Sequence, residues 1–302
     1  MSIIKKISSN LHAIIAVIIL IISTSVFFIP ILLFGLVKLI PNTRVKVFST
    51  KIIDKFATFW CSLNNTYIDN FSATRFEITG LSKFDIDGWY LVIANHLSSL
   101  DIVILQRLFN RKIPVLKFFI KDQLKWVPLL GFAWWAMGCP FMKRYSKEYL
   151  AKNPENKGKD LEATKKAMKL FKETPSTIIS FVEGTRFTND KKTKLNSQYV
   201  NLLNPKAGGI GFVIDIMNDQ ITKLIDVTIA YPSTNTTLWN FLCRRVESIK
   251  IHIRELTIPK QFMNSNISED DKIQNEFRLW LNQQWALKDE LISSMTNPSL
   301  RD

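Results

Sequence analysis

Cysteine is scarce in this 302-residue chain. Cys61, Cys139 and Cys243 stand far apart and form no Cys-x-x-Cys pair. That excludes a disulfide framework and a cysteine-rich zinc site and makes a reducing compartment the default. Glycine and proline number only 10 and 11, too few for a collagen-like or low-complexity chain. Acids are the minority charge, 26 Asp and Glu against 40 Lys and Arg, for a formal net charge of +14. Such a surface favours anions: nucleic acid, anionic lipid headgroups or phosphorylated substrates. No helix-turn-helix, zinc-finger or aromatic RNA-binding motif accompanies the charge, which argues against nucleic acid. Histidine chemistry has three candidates, His12, His96 and His252.

What is abundant is apolar sequence, and it is concentrated at the N-terminus. No charge interrupts Ala13 to Val37, which is long enough to cross a bilayer. A cleavable signal is disfavoured, because the apolar run resumes at Val26 and no Ala-x-Ala site follows. Residues 1–45 therefore read as a membrane anchor, either one span or a two-helix monotopic hairpin. Pro30 and the triplet Ser23–Ser25 favour the hairpin, since they divide the run into two pieces each too short to span. Lys38, Arg44, Lys46 and Lys51 follow the segment while Lys5 and Lys6 precede it. That asymmetry puts the bulk of the chain on the cytoplasmic side.

Beyond residue 50 short apolar runs alternate with helical patterns. Leu91–Ala94, Val115–Ile120, Thr177–Val182 and Leu224–Ala230 read as strands. Leu100–Phe109, Pro128–Met137 and Gly158–Lys172 read as helices. This alternation predicts an α/β architecture, a mainly parallel sheet flanked by helices, behind the N-terminal anchor. Ser248–Leu256 alternates as a half-exposed strand, and acids at 269–271 open a long amphipathic helix. The expected division is an anchor at 1–45, a catalytic domain at 46–260, and a C-terminal helix and tail at 261–302.

Four segments carry chemical interest. In Asn95-His96-Leu97-Ser98-Ser99-Leu100-Asp101, His and Asp are five apart. On one regular helix they would diverge by about 140°. They meet only if His96 ends the strand and Asp101 sits in the first helical turn, where the apolar pattern places them. Asp101 would then hold one ring nitrogen and leave the other as a general base. Ser98-x-x-Asp101 also reads as a plain capping box, and taken alone the two readings are equal. Glu183-Gly184-Thr185-Arg186 follows a strand and offers a guanidinium suited to phosphate. Gly138-Cys139-Pro140-Phe141-Met142-Lys143-Arg144 is a turn and short strand ending in two cations. Val227 to Pro232 is a strand closed by proline.

Together and in this order, the segments resemble the four motif blocks of the glycerolipid acyltransferase superfamily, in particular the 1-acylglycerol-3-phosphate acyltransferase family. His96 and Asp101 match the first block; Gly138, Phe141 and Arg144 match the second, with Met142 in place of Ile. Glu183, Gly184, Thr185 and Arg186 match the third without change, and Pro232 matches the end of the fourth. Phe118–Lys121 and Trp285-x-x-Lys288-Asp289 look like its longer subgroup.

The resemblance implies a transferase moving a fatty acyl group from an acyl-CoA or acyl carrier protein thioester to the free hydroxyl of lysophosphatidic acid. It implies His96 as general base, Asp101 as its partner, and Arg186 with Glu183, Gly184 and Thr185 seating the acceptor phosphate. Arg144 and Lys143 would add to that site, Gly138, Phe141 and Pro232 count as further substrate-binding positions, and Lys121 and Lys206 are weaker candidates. Membrane lipid is the expected partner, with the bacterial inner membrane as the expected location. No metal and no cofactor are implied. Another lysophospholipid as acceptor is the alternative. A non-enzymatic basic lipid-binding protein is a more distant one, since binding alone has no use for the His96–Asp101 pair.

Overall fold

The computed structural model describes residues 3–80, 83–142, 168, 171–233 and 236–296. The helix expected at 158–172 lies almost entirely outside the described residues.

The chain begins with two long helices, α1 (Ile3–Val37) and α2 (Thr43–Phe71). They run antiparallel, as the pairs His12–Tyr67, Thr24–Trp60 and Phe34–Phe48 show. The break expected at Ser23–Ser25 or Pro30 is absent, because α1 continues through all of them. The serine hydroxyls bond back to carbonyls of their own helix, Ser23 to Leu20 and Ser25 to Ile21. That satisfies them without ending the helix. The turn comes instead at 38–42, where the Asn42 side chain caps α2 by accepting from the N–H groups of Arg44 and Val45.

An α/β unit follows, with strands β1 (Arg75–Thr79), β2 (Tyr90–Ala94) and β3 (Leu116–Phe118). Helix α3 spans Leu100–Phe109. A small parallel pair, β4 (Ile120–Lys121) and β5 (Phe141–Met142), brackets α4 (Leu130–Ala136). Then come β6 (Thr177–Phe181), α5 (Asn189–Lys194), α6 (Ala207–Met217) and β7 (Lys223–Ala230). The chain closes with α7 (Leu238–Leu242), β8 (Ser248–Leu256) and α8 (Asp271–Thr296).

The six-stranded sheet has the order β1-β8-β7-β2-β6-β3. Every pairing is parallel except β7 with β8. All five residues of β2 are buried, as expected for a central strand covered on both faces. Leu91 and Ile93 face a core formed with α6 and α8, including Phe277, Leu281 and Trp285. Tyr90, Val92 and Ala94 face the opposite core, built with α3.

Helix α8 also brings a cation into the sheet. Buried Asp226 of β7 pairs with Arg254 of β8 at 2.8 Å and with Lys288 of α8 at 2.5 Å. Lys288, itself fully buried, also donates to the Val227 carbonyl at 2.7 Å. Removing one partner of a buried ion pair leaves a charge uncompensated, typically costing about 3–5 kcal/mol. Lys288→Met should fall near the low end, about 3 kcal/mol, because Arg254 remains beside Asp226. A urea midpoint unchanged from wild type would contradict that ledger.

Candidate active site

The parallel strands β6, β2 and β7 lie side by side, and the first, third and fourth matched segments leave from their carboxyl ends, while the second enters β5 of the small parallel pair. This is the edge where open α/β sheets place ligands. The first segment is held before it turns. Asn95, just past β2, donates Nδ2 to the Ile229 carbonyl at 2.8 Å and accepts the Ile229 N–H at 2.9 Å. Its side chain thus extends the ladder to β7 by one more step and directs the chain out at His96.

His96 Nδ1 lies 2.8 Å from Asp101 Oδ2. The same carboxylate oxygen accepts the N–H groups of Leu97 at 2.7 Å and Ser98 at 2.8 Å. The capping-box reading and the His–Asp reading therefore describe one group: Asp101 reaches back to the start of α3 and to the imidazole together. Its other oxygen accepts the Tyr231 hydroxyl at 2.5 Å. Burial, reinforced by the adjacent carboxylate, holds that phenol well above its ordinary range and so protonated. The imidazole stacks on Phe181, with ring centroids 4.0 Å apart. Nδ1 is engaged, so Nε2 is the nitrogen open to chemistry.

The third segment divides its work. Buried Glu183 accepts the His96 N–H at 3.0 Å and the Leu203 N–H at 2.9 Å. Its carboxyl is pushed up to about 7 by burial, with those two N–H groups opposing the shift. Glu183 braces the backbone of His96 and does not line the cavity. Gly184, at φ 70°, makes the left-handed turn that a side chain would strain. Beyond it Thr185 and Arg186 line the cavity. So does Lys191 of α5, which donates to Thr185 Oγ1 at 2.8 Å and to the Arg186 carbonyl at 3.0 Å.

The second and fourth segments are structural where they are described. Gly138, at φ 81°, ends α4, and Phe141 pairs with Ile120 between β5 and β4. Neither lines the cavity. Arg144 and Lys143 lie outside the described residues. Pro232 is exposed just past β7, and the residue before it, Tyr231, makes the contact to Asp101. Of the weaker candidates, Lys121 lines the cavity and Lys206 precedes α6 away from it. His12 bonds Tyr67 and His252 bonds Thr79, both outside the cavity wall.

From this polar end the cavity, about 830 Å³, extends between α3, α4 and the α1–α2 hairpin. Its wall there is apolar, with Phe27, Phe28 and Ile31 of α1, Trp60 of α2 and Val103 of α3 among its residues. Tyr231, Lys191 and this helical wall were not identified from the sequence. Tyr231 had only one weak signal, a hydroxyl at the end of an otherwise apolar run. Lys191 stands in the run Asp190-Lys191-Lys192, which resembles any solvated surface.

The chain shares sequence with known acyltransferases. The sequence model of the acyltransferase family matches residues 75–231. The mouse 1-acyl-sn-glycerol-3-phosphate acyltransferase epsilon is 25% identical over 250 residues, 75% of this chain and 63% of the mouse protein. An uncharacterized acyltransferase of Schizosaccharomyces pombe is 24% identical over 185 residues, 58% of this chain and 50% of the yeast protein. The chain thus spans less than two thirds of either relative. Among solved structures, the 1-acyl-sn-glycerophosphate (LPA) acyltransferase PlsC from Thermotoga maritima matches with a TM-score of 0.49 and 16% identity. That alignment covers 95% of this chain and 98% of the other. With the family's matched region enclosing β2, β6, β7 and the residues that leave their ends, the chain belongs to the acyltransferase family.

Proposed function

We propose that the protein transfers a fatty acyl group from a thioester donor, acyl-CoA or acyl carrier protein, to the free hydroxyl of lysophosphatidic acid. The observation that carries this reading is His96: its Nδ1 is fixed by a buried carboxylate, and it lines an apolar cavity large enough for a hydrocarbon chain. The acceptor O–H gives its proton to Nε2 as its oxygen attacks the thioester carbonyl. The tetrahedral intermediate collapses, the C–S bond breaks, and the departing thiolate takes the proton back from the imidazolium. Asp101 holds the tautomer and stabilises the imidazolium. The acceptor is itself the nucleophile, so no acyl-enzyme is required. Arg186 and the Thr185 hydroxyl sit beside the base, where they would hold the acceptor phosphate; Arg144 would join them from the second block. Another lysophospholipid would use the same base with a different headgroup contact.

The lipid substrate fits the outer surface. On α1, Ile4, Ile7, Leu11, Ile18, Ile22, Val26, Ile29 and Leu33 are all exposed. Trp126 is 79% exposed and suits a membrane interface. Yet α1 is docked on the body at both ends. Near its start, Ser9 donates to the Cys243 carbonyl and Asn10 accepts from Arg245 at 2.7 Å. Near its end, Gly35 lies against Phe132, and Lys38 donates to the Ala136 carbonyl at 2.7 Å. These attachments are about 40 Å apart along the helix. A helix tied at both ends to one polar body lies along that body and does not stand through a bilayer with the body on one side. We therefore infer a monotopic hairpin embedded in one leaflet, the cytoplasmic leaflet of a bacterial inner membrane by the flanking cations.

Three outcomes test this reading. His96→Ala should lower acyl transfer by about 10²–10⁴-fold while the protein remains folded and membrane-bound. Asp101→Asn should be severely impaired and strongly non-additive with it. Near-wild-type turnover by folded His96→Ala defeats the mechanism. Arg186→Ala should raise the acceptor concentration needed for half-maximal rate, and Arg186→Lys should restore only part, since an ammonium lacks the guanidinium fork. For the hairpin, single cysteines at Ser2 and Asn42, with the three native cysteines replaced by Ser, should both react with an impermeant thiol reagent from the cytoplasmic side of sealed vesicles. Reaction of position 2 from the opposite side establishes a span.

A further inference from the structure

We propose that Lys191 is a specificity-determining residue which, with Arg186, selects a phosphomonoester headgroup over a phosphodiester. This rests on the reading of the cavity's polar end as the acceptor site.

Lys191 is an unusual lysine for a surface helix. An ammonium has three N–H donors and, on an exposed stem, normally moves freely in water. Here two donors are fixed, one on Thr185 Oγ1 and one on the Arg186 carbonyl. The Thr188 hydroxyl holds the Lys191 backbone as well, accepting its N–H at 3.2 Å. The third ammonium N–H is left for a ligand in the cavity that the residue lines.

The charge balance says which ligand. Arg186 lies in the turn segment after β6 and Lys191 in the helix α5 that follows it, and among the described residues no carboxylate pairs with either. Among the described residues lining the cavity there is no Asp or Glu at all, while Arg111, Lys121, Arg186 and Lys191 are cations. Arg111 is tied to Ser62 and lies over the Phe59 ring on the α2 side. Lys121 belongs to β4. The pair carried by the segment after β6, whose Phe187 N–H donates to the His96 carbonyl at 2.8 Å, is Arg186 with Lys191.

Lys191 is held by its two bonds while the exposed Arg186 guanidinium is free to meet it, and two unneutralised cations on one cavity wall repel each other until an anion joins them. A phosphodiester brings one negative charge. A phosphomonoester brings nearly two at neutral pH and three free oxygens. The guanidinium takes two oxygens as a fork, and the point charge of the lysine meets the remaining one. A zwitterionic headgroup would also place an ammonium beside these cations with no acid to receive it.

The test is equilibrium binding to purified full-length protein in detergent. The probes are 1-octanoyl-2-deoxyglycerol-3-phosphate, which has no hydroxyl to acylate, and its phosphate methyl ester. Wild type should bind the monoester more tightly than the methyl ester. Lys191→Gln keeps an N–H donor and removes the charge. It should weaken monoester binding by about tenfold or more and methyl ester binding by less than about twofold. Lys191→Arg should keep the preference. Equal weakening of both ligands by Lys191→Gln would make the lysine a staple for the 185–186 turn and overturn the proposal. So would a wild-type protein with no preference, a result that needs no variant to fold. Acyl transfer to the natural acceptor, measured in parallel, is a separate readout. Its failure would defeat the transfer reaction while the binding ratio still decides the role of Lys191.

Discussion

One buried carboxylate organises the site. Asp101 has no exposure to solvent and receives four donors, from the His96 ring, the Leu97 and Ser98 backbone and the Tyr231 hydroxyl. A charge removed from water persists only when its lone pairs are met this fully. The four donors come from the exit of β2, the entry to α3 and the end of β7, so the carboxylate fixes the spacing of those elements. Glu183 does the corresponding work from β6, taking the His96 backbone N–H and that of Leu203. Two carboxylates thus brace three neighbouring strand ends, and the imidazole is held by its ring, its backbone and the face of Phe181. A base that has little freedom to turn needs little reorganisation when a proton moves.

The rest of the fold protects this arrangement from two sides. Below, the central strand β2 is covered on both faces, and the Asn95 side chain extends its pairing with β7 beyond the regular ladder. Above, the α1–α2 hairpin supplies cavity wall that the sheet alone cannot. Its inner residues Phe27, Phe28 and Trp60 meet α3 and α4 across the cavity while the outer face of α1 stays apolar. The hairpin is therefore cavity wall and, in the proposed membrane arrangement, anchor as well. Its attachment through Asn10 and Arg245 at one end and Lys38 and Ala136 at the other keeps the wall in register with the base.

The legible parts of the sequence were those where local pattern and tertiary role agree. The apolar run ending in Asn95-His96 gave β2, and Leu100–Phe109 and Ser248–Leu256 appear with the boundaries their spacing implies. The His96–Asp101 contact was readable because a strand end and a helix start fix the geometry between them. The unbroken α1 was not, because Pro30 and the serines look like breaks, yet the helix runs through Pro30 and the Ser23 and Ser25 hydroxyls bond back to its own carbonyls. Tyr231 and Lys191 were missed for a related reason. Each acts on a residue distant in sequence or on a turn whose path depends on Gly184, and one chain carries no record of such proximity. Glu183 was readable as part of a motif, but its partners show it facing the backbone and not the substrate site.

The distribution of polarity then constrains how an amphiphile must sit. Hydrocarbon can be buried only along the wall shared by α1, α2, α3 and α4, where dehydration is favourable. Anionic oxygens are best received at the strand ends, where, among the described residues, Arg186 and Lys191 stand without a paired acid. A lipid bound to both has one place for the junction between its chain and its headgroup, and that place is beside His96. The two groups that react in the proposed transfer, a thioester carbonyl and a glycerol hydroxyl, both lie at such junctions. Selectivity for where the acyl group is transferred then follows from partition, with the apolar wall drawing one end and the cations the other. For the proposed transfer, His96 and Asp101 need only be immobile at the boundary, and their placement on braced strand ends, away from the long helices, meets that requirement.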